Sequence, residues 1–249
     1  MTDSSLHLAR LKRHLERSRS VQAHAHFNFG VAALDARLGG GLARGALHEV
    51  SGLQEDHSVA SGFALMLAMR AAADRPILWV REDKGERMHG QLYGPGMIEL
   101  GANPDNIILI SAPDTLSALR AGADILRSTG LGATVIEPFG ASKALDLTAS
   151  RKLVLAAEKS GVAAFILREA GTSLSSAAAT RWRIAAAPSQ TLPGNAPGHT
   201  ALAIELVRHR GGVPPFSIML EWDRDGQVFR EAPLLRAVSS SFERRPMAA

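Results

Sequence analysis

The chain has 249 residues, 46% hydrophobic and 21% charged, enough for one substantial core and within the range of a single α/β domain. It has no cysteine, which excludes disulfides and thiolate metal sites, and its net charge of +4 allows nucleic-acid contact without requiring it. No run reaches the roughly 18 apolar residues of a membrane span, and the basic start lacks a signal peptide's apolar core and cleavage site, so a cytoplasmic protein without membrane contact is expected.

Residues 5–20 (SLHLARLKRHLERSRS) predict a short amphipathic helix: Leu8, Leu11 and Leu15 share one face, and Arg10, Lys12, Arg13, Arg17 and Arg19 fill much of the remainder. Three uses are open to such a helix: a solvated cover, a clamp on DNA phosphates, or a contact with a neighbouring protomer. Residues 21–28 read as a linker, where His24 and His26 lack a third ligand at convincing spacing for a metal. Residues 46–51 (ALHEVS) predict a short buried strand, 52–60 a loop, and 61–73 (SGFALMLAMRAAA) an apolar helix packed on the sheet.

Strand and helix signals then alternate as a mostly parallel sheet requires. Strands are expected at 76–81 (PILWVR), 106–111 (NIILIS), 133–137 (ATVIE) and 162–168 (VAAFILR), and helices at 115–129 and 145–160. Between them lie a polar stretch over 82–91 and a turn with a short helix over 92–101. The last third reads as antiparallel strands at 180–187, 200–210, 216–223 and 228–230, with a hairpin turn at Asp225-Gly226. Residues 171–179 and 189–199 form short loops without lysine or arginine. The last stretch, 239–249, has the composition of a disordered tail with a small cluster of Phe242, Arg244 and Arg245.

The stretch from Phe29 to Arg70 has the anatomy of a nucleotide-binding strand, loop and helix, yet the phosphate chemistry is missing. In G-x-x-x-x-G-K-[ST], backbone N–H groups and a lysine surround the phosphates and a hydroxyl holds Mg²⁺. Counted from Gly52, His57 stands at the second glycine, Ser58 at the lysine and Val59 at the hydroxyl, while Glu55 and Asp56 would repel a triphosphate. Ser58 beside His57 is adjacency in sequence and no argument for a hydrolase.

The frame around this loop resembles known proteins. Phe29-Gly30 followed by LDARLGGGLARGALHEVSG (34–52) resembles the approach to the P-loop in RecA-like recombinases and ATPases. GGGLARGALHEV, GFALMLA, PILWV and LYGPGM are similar to the ImuA family of bacterial SOS mutagenesis proteins, from about residue 27 to 233. The resemblance implies a RecA-like α/β fold: a mostly parallel central sheet flanked by helices, with an antiparallel carboxyl-terminal extension. With the terminal segments read from their own residues, the expected division is a basic helix and linker over 1–26, a RecA-like domain with a degenerate P-loop over 27–235 and a flexible tail over 236–249.

The implied function is that of a catalytically inactive accessory protein of SOS-induced translesion synthesis. It would act as an adaptor for an ImuB-type polymerase homologue and an error-prone replicative-type DNA polymerase. RecA or a second copy of the chain remain open as further partners, DNA contact would be indirect or weak, and no cofactor is implied. The resemblance places Glu137, followed by Pro138, where a RecA-like enzyme has its Walker B aspartate, so that motif is degenerate as well. Glu82 and Asp83 fall near the position of the water-activating glutamate and read as acidic surface residues at strand ends. Candidate partner contacts are Leu8, Leu11, Leu15, Phe242, Arg244 and Arg245. Two other readings are open: an SOS cell-division inhibitor of the SulA type, and a RecA-like DNA-dependent ATPase.

Overall fold

The computed structural model describes residues 25–52, 57–169 and 175–232. Leu8, Leu11, Leu15, Glu55, Asp56, Phe242, Arg244 and Arg245, with the helix expected over 5–20, lie outside those residues.

Nine strands of the described residues form one sheet: β3 (Leu47–Gly52), β4 (Ile77–Glu82), β5 (Ile107–Ala112), β6 (Ala133–Glu137), β7 (Ala163–Arg168), β8 (Thr180–Ala186), β9 (Thr200–His209), β10 (Phe216–Asp223) and β11 (Val228–Glu231). Their spatial order is β11, β10, β9, β8, β3, β7, β6, β4, β5. From β8 to β5 the pairings are parallel, and from β8 to β11 antiparallel. The cause is visible in the side chains. Every residue of β4, β6 and β7 is buried, as strands covered by helices on both faces must be, whereas β8 alternates buried and half-buried positions until its end.

One face is covered by α2 (His57–Ala72), which packs on β3, β6, β7 and β8. Leucine, methionine and alanine make it a strong helix former, and ten of its 16 residues are buried, more than one amphipathic stripe would bury. The antiparallel extension completes its cover: the Phe229 ring lies 5.4 Å from Phe29 and 5.7 Å from Phe63 of α2. The other face is covered by α5 (Thr115–Ile125) and α6 (Leu147–Ser160). Their starts are fixed by Asp114, which accepts from the Ser117 N–H at 2.7 Å, and Asp146, which accepts from the Ala149 N–H at 2.7 Å. Gly161, with φ of 75°, ends α6.

Ahead of the sheet, β1 (His26–Phe27) pairs with β2 (Leu42–Ala43) around α1 (Ala32–Arg37). This ribbon explains the glycine run before β2. Gly41 has φ of +107°, and a Cβ there would stand 2.3 Å from the Phe27 carbonyl oxygen, so the close pass of the two chains admits only glycine.

Four expectations are corrected. Residues 26–27 are a strand rather than linker, because the Gly39–Gly41 turn returns β2 to meet them. The helix begins at His57, not Ser61, and so includes Ser58 and Val59. The polar stretch after β4 contains a helix, α3 (Asp83–His89), with acids in its first turn and bases in its last, as the helix dipole favours; α4 (Gly94–Glu99) follows. The hairpin after β10 has four connecting residues, 224–227, and its left-handed residue is Gln227 rather than Gly226. Asp223 organises that turn by accepting from the Asp225 and Gly226 N–H groups at 3.1 and 3.2 Å.

Candidate functional site

Ligands of open α/β sheets bind outside the carboxyl ends of the parallel strands. Gly52, Arg81 and Glu137 stand at those ends in β3, β4 and β6. Period-two alternation turns Ile77, Trp79 and Arg81 of β4, and Val135 and Glu137 of β6, toward α2. The parallel register of the two strands sets Arg81 directly beside Glu137.

Four donors converge on the Glu137 carboxylate. Oε2 accepts from Trp79 Nε1 at 2.7 Å and from Arg81 Nε at 2.8 Å; Oε1 accepts from Arg81 Nη2 at 3.0 Å and from His57 Nε2 at 2.9 Å. Arg81 spends its remaining fork nitrogen, Nη1, on the Gly90 carbonyl at 2.9 Å. Only 3% of the Glu137 side chain and 5% of the Arg81 side chain are exposed. Burial pushes the Glu137 carboxyl up, but hydrogen bonds from His57 and Arg81 and the guanidinium charge outweigh it and hold the group below its ordinary range. Glu137 is therefore an ionised acid whose charge is compensated by the protein itself.

His57 joins this cluster to its surroundings. Its ring stacks on His89 at 4.3 Å between centroids, and His89 Nε2 lies 3.8 Å from Glu169 Oε1, which accepts from the Gly140 N–H at 3.0 Å. The first residue of α2 thus connects to the end of α3, the loop after β6 and the residue after β7. Beside it a cleft of about 470 Å³ opens between α2, β4 and α4, with Leu65, Trp79, Leu92, Tyr93 and Met97 among its walls. Ser58 is exposed, and Val59 packs against the core, where the P-loop pattern would have a metal-binding hydroxyl. Gly52 ends β3.

Glu82 is not a surface acid. Alternation turns it to the opposite face from Glu137, where it is 7% exposed and accepts from Thr115 Oγ1 at 2.7 Å and the Phe139 N–H at 3.0 Å. Asp83 is half-buried and accepts from the Ser111 hydroxyl. Glu82 thus ties the start of α5 and the loop after β6 to β4, and Asp83 ties the start of α3 to β5. On the Glu82 face, Glu49 is buried between Arg168, at 3.3 Å, and Arg181, at 2.7 Å. Among the described residues no cluster of three or more histidines and acids is arranged to hold a metal ion, and no helix is long and apolar enough to cross a membrane.

Sequence reasoning singled out Glu137 and His57 without joining them, and missed Trp79, Arg81, His89 and Glu169. The available signal was the alternation in ILWVRE, which places a buried arginine on the same face as Trp79; arginine in such a strand requires an acid nearby.

The strand order, the switch from parallel to antiparallel pairing at β8, and a helix rising from the end of β3 beside the acid ending β6 define a RecA-like domain. The crystal structure of the RadB recombinase shares this fold with a TM-score of 0.56 at 16% sequence identity, covering 83% of this chain and 100% of that one. Protein ImuA from Caulobacter vibrioides, in strains NA1000 / CB15N and ATCC 19089 / CIP 103742 / CB 15, is 33% identical over 204 residues, 75% of this chain and 80% of the relative. The chain belongs to the ImuA family. No protein-family model matches it.

Proposed function

We propose that this chain is a catalytically inactive RecA-like accessory protein of SOS-induced, error-prone translesion synthesis. In this reading it is an adaptor joining an ImuB-type polymerase homologue to an error-prone replicative-type DNA polymerase. The observation that carries the inactive half of the reading is the saturated Glu137 carboxylate. A Walker B acid must leave an oxygen free for Mg²⁺ or its water, whereas both oxygens here are held by Arg81, Trp79 and His57. His57, Ser58 and Val59 at the glycine, lysine and hydroxyl positions of the P-loop pattern point the same way, since none neutralises a phosphate as lysine does. A retained fold with spent phosphate chemistry is what an assembly protein tolerates.

In the same reading the domain spans 27–235, between the basic segment 1–26 and the tail 236–249, and the protein works in the cytoplasm. Leu8, Leu11 and Leu15 at one end, with Phe242, Arg244 and Arg245 at the other, are proposed partner contacts. The purified full chain, incubated with ATP, Mg²⁺ and single-stranded DNA, should show no turnover above background, and a pull-down should retain the polymerase homologue. DNA-stimulated turnover abolished by changes at Glu82 or Asp83 would refute inactivity. Loss of all polymerase-homologue binding from the intact chain would refute the adaptor role.

A further inference from the structure

The sheet face opposite the Glu137 cluster carries a groove that the site above does not use. It lies between α5 and α6 and encloses about 270 Å³, with Leu116, Leu119, Ala123 and Ala149 contributing apolar lining, Arg120 and Lys152 two cations, and Asp146 one carboxylate. Leu116 in that lining is 46% exposed, and Leu155, one turn beyond Lys152 on α6, is 64% exposed. Leu116 and Arg120 stand one turn apart on α5, as Lys152 and Leu155 do on α6. Singly exposed leucines need no explanation, but Leu116 in the groove and Leu155 beside it set apolar surface next to the cations Arg120 and Lys152.

The charges around the groove are unequal in availability. Asp114 and Asp146 are occupied as helix caps, and Asp124 pairs with Arg127 at 3.3 Å. Arg120 and Lys152 are exposed and form no salt bridge among the described residues, though the Arg120 charge helps the Ser117 hydrogen bonds hold the Asp114 carboxyl below its ordinary range.

From this, and resting on the adaptor reading, we infer that the α5/α6 groove docks an acidic, leucine-bearing helical segment of the partner protein. Apolar anchors at helical spacing would enter between the helices while carboxylates meet Arg120 and Lys152. A second copy's amino-terminal leucine segment is disfavoured by like charge, because it carries Arg10, Lys12, Arg13, Arg17 and Arg19. Nucleic acid is disfavoured by a lining of leucine and alanine, which offers no ring on which a base could stack. The groove adds a contact on the folded domain to those proposed at the chain ends.

The test titrates full-length protein with the purified polymerase homologue, comparing wild type, the Arg120→Glu/Lys152→Glu double variant and Arg127→Glu as a control away from the groove. A photo-crosslinking side chain at position 155 identifies what lies over the helices. Folding of each variant is checked by circular dichroism. The double variant should lose about tenfold or more in affinity, the control should bind as wild type, and the cross-link should map to an acidic, leucine-bearing segment of the polymerase homologue. Unchanged affinity in the double variant overturns the groove inference while wild-type binding leaves the adaptor reading standing. A cross-link to a second copy of this chain, or loss of single-stranded DNA binding in place of partner binding, also overturns it. A wild-type chain that binds no polymerase homologue overturns the adaptor reading and this inference with it.

Discussion

Replacing Arg81 by methionine removes the charge that compensates Glu137 while keeping most of the side-chain volume. The guanidinium makes three contacts in the structure: to Glu137 Oε2 at 2.8 Å, to Glu137 Oε1 at 3.0 Å and to the Gly90 carbonyl at 2.9 Å. Its loss leaves an ionised carboxylate, 3% exposed, with Trp79 and His57 as remaining donors. Breaking a buried pair from one side costs about 3–5 kcal/mol, a large share of the roughly 5–15 kcal/mol that stabilises a domain. Urea unfolding followed by circular dichroism should show a midpoint lowered by about 1.5–2.5 M at an m-value near 2 kcal/mol/M, with m unchanged. The Arg81→Met/Glu137→Leu double variant should recover at least half of the loss, because no buried charge is then left unpaired. The pH dependence follows from the lowered Glu137 pKa. That shift contributes stability above the carboxyl's ordinary value of 4.5, and the contribution is lost as pH falls through the lower native value. The gap between wild type and Arg81→Met is therefore widest at neutral pH and narrows in acid. A single variant losing under about 1 kcal/mol, or a double variant no more stable than the single, would refute the claim that Arg81 neutralises Glu137.

Burial lowers the His48 pKa from 6.5 to about 4, partly opposed by the Ala43 carbonyl that accepts from Nε2 at 3.0 Å, while Nδ1 accepts from the Thr180 hydroxyl at 2.8 Å. The neutral ring's contribution is whole above the unfolded value and falls away as the unfolded chain takes up a proton; between pH 7.5 and 5 the loss is about 2 kcal/mol, and His48→Asn should remove that slope from urea midpoints measured across the range. A slope that persists in the variant would assign it to another group. Exposed Ser58 should tolerate alanine within about 0.5 kcal/mol, whereas Leu65→Asp, at a site 3% exposed in α2, should cost about 3 kcal/mol or more and deplete soluble folded protein. Equal yields and melting temperatures for the two would contradict the packing described for α2.

Much of the architecture lies in local pattern. The apolar runs of β4, β6 and β7 are short and flanked by helical segments, which specifies a covered parallel sheet, and the uniform apolarity of α2 specifies burial on more than one side. The same local reading sets His57, Ser58 and Val59 at the glycine, lysine and hydroxyl positions of the P-loop pattern, because residue type and spacing are read from the sequence alone. Tertiary structure decided what surrounds those residues. Alternation assigns Arg81 and Glu137 each to a face of its own strand but is silent on which strands adjoin, and these two residues are 56 apart in sequence until the β4/β6 register sets them side by side. Glu82 was misread as exposed for the same reason: its partners Thr115 and Phe139 arrive from other segments. Charged residues at strand ends look alike in sequence whether they face water or a partner; only packing removes the water and forces the choice of partner.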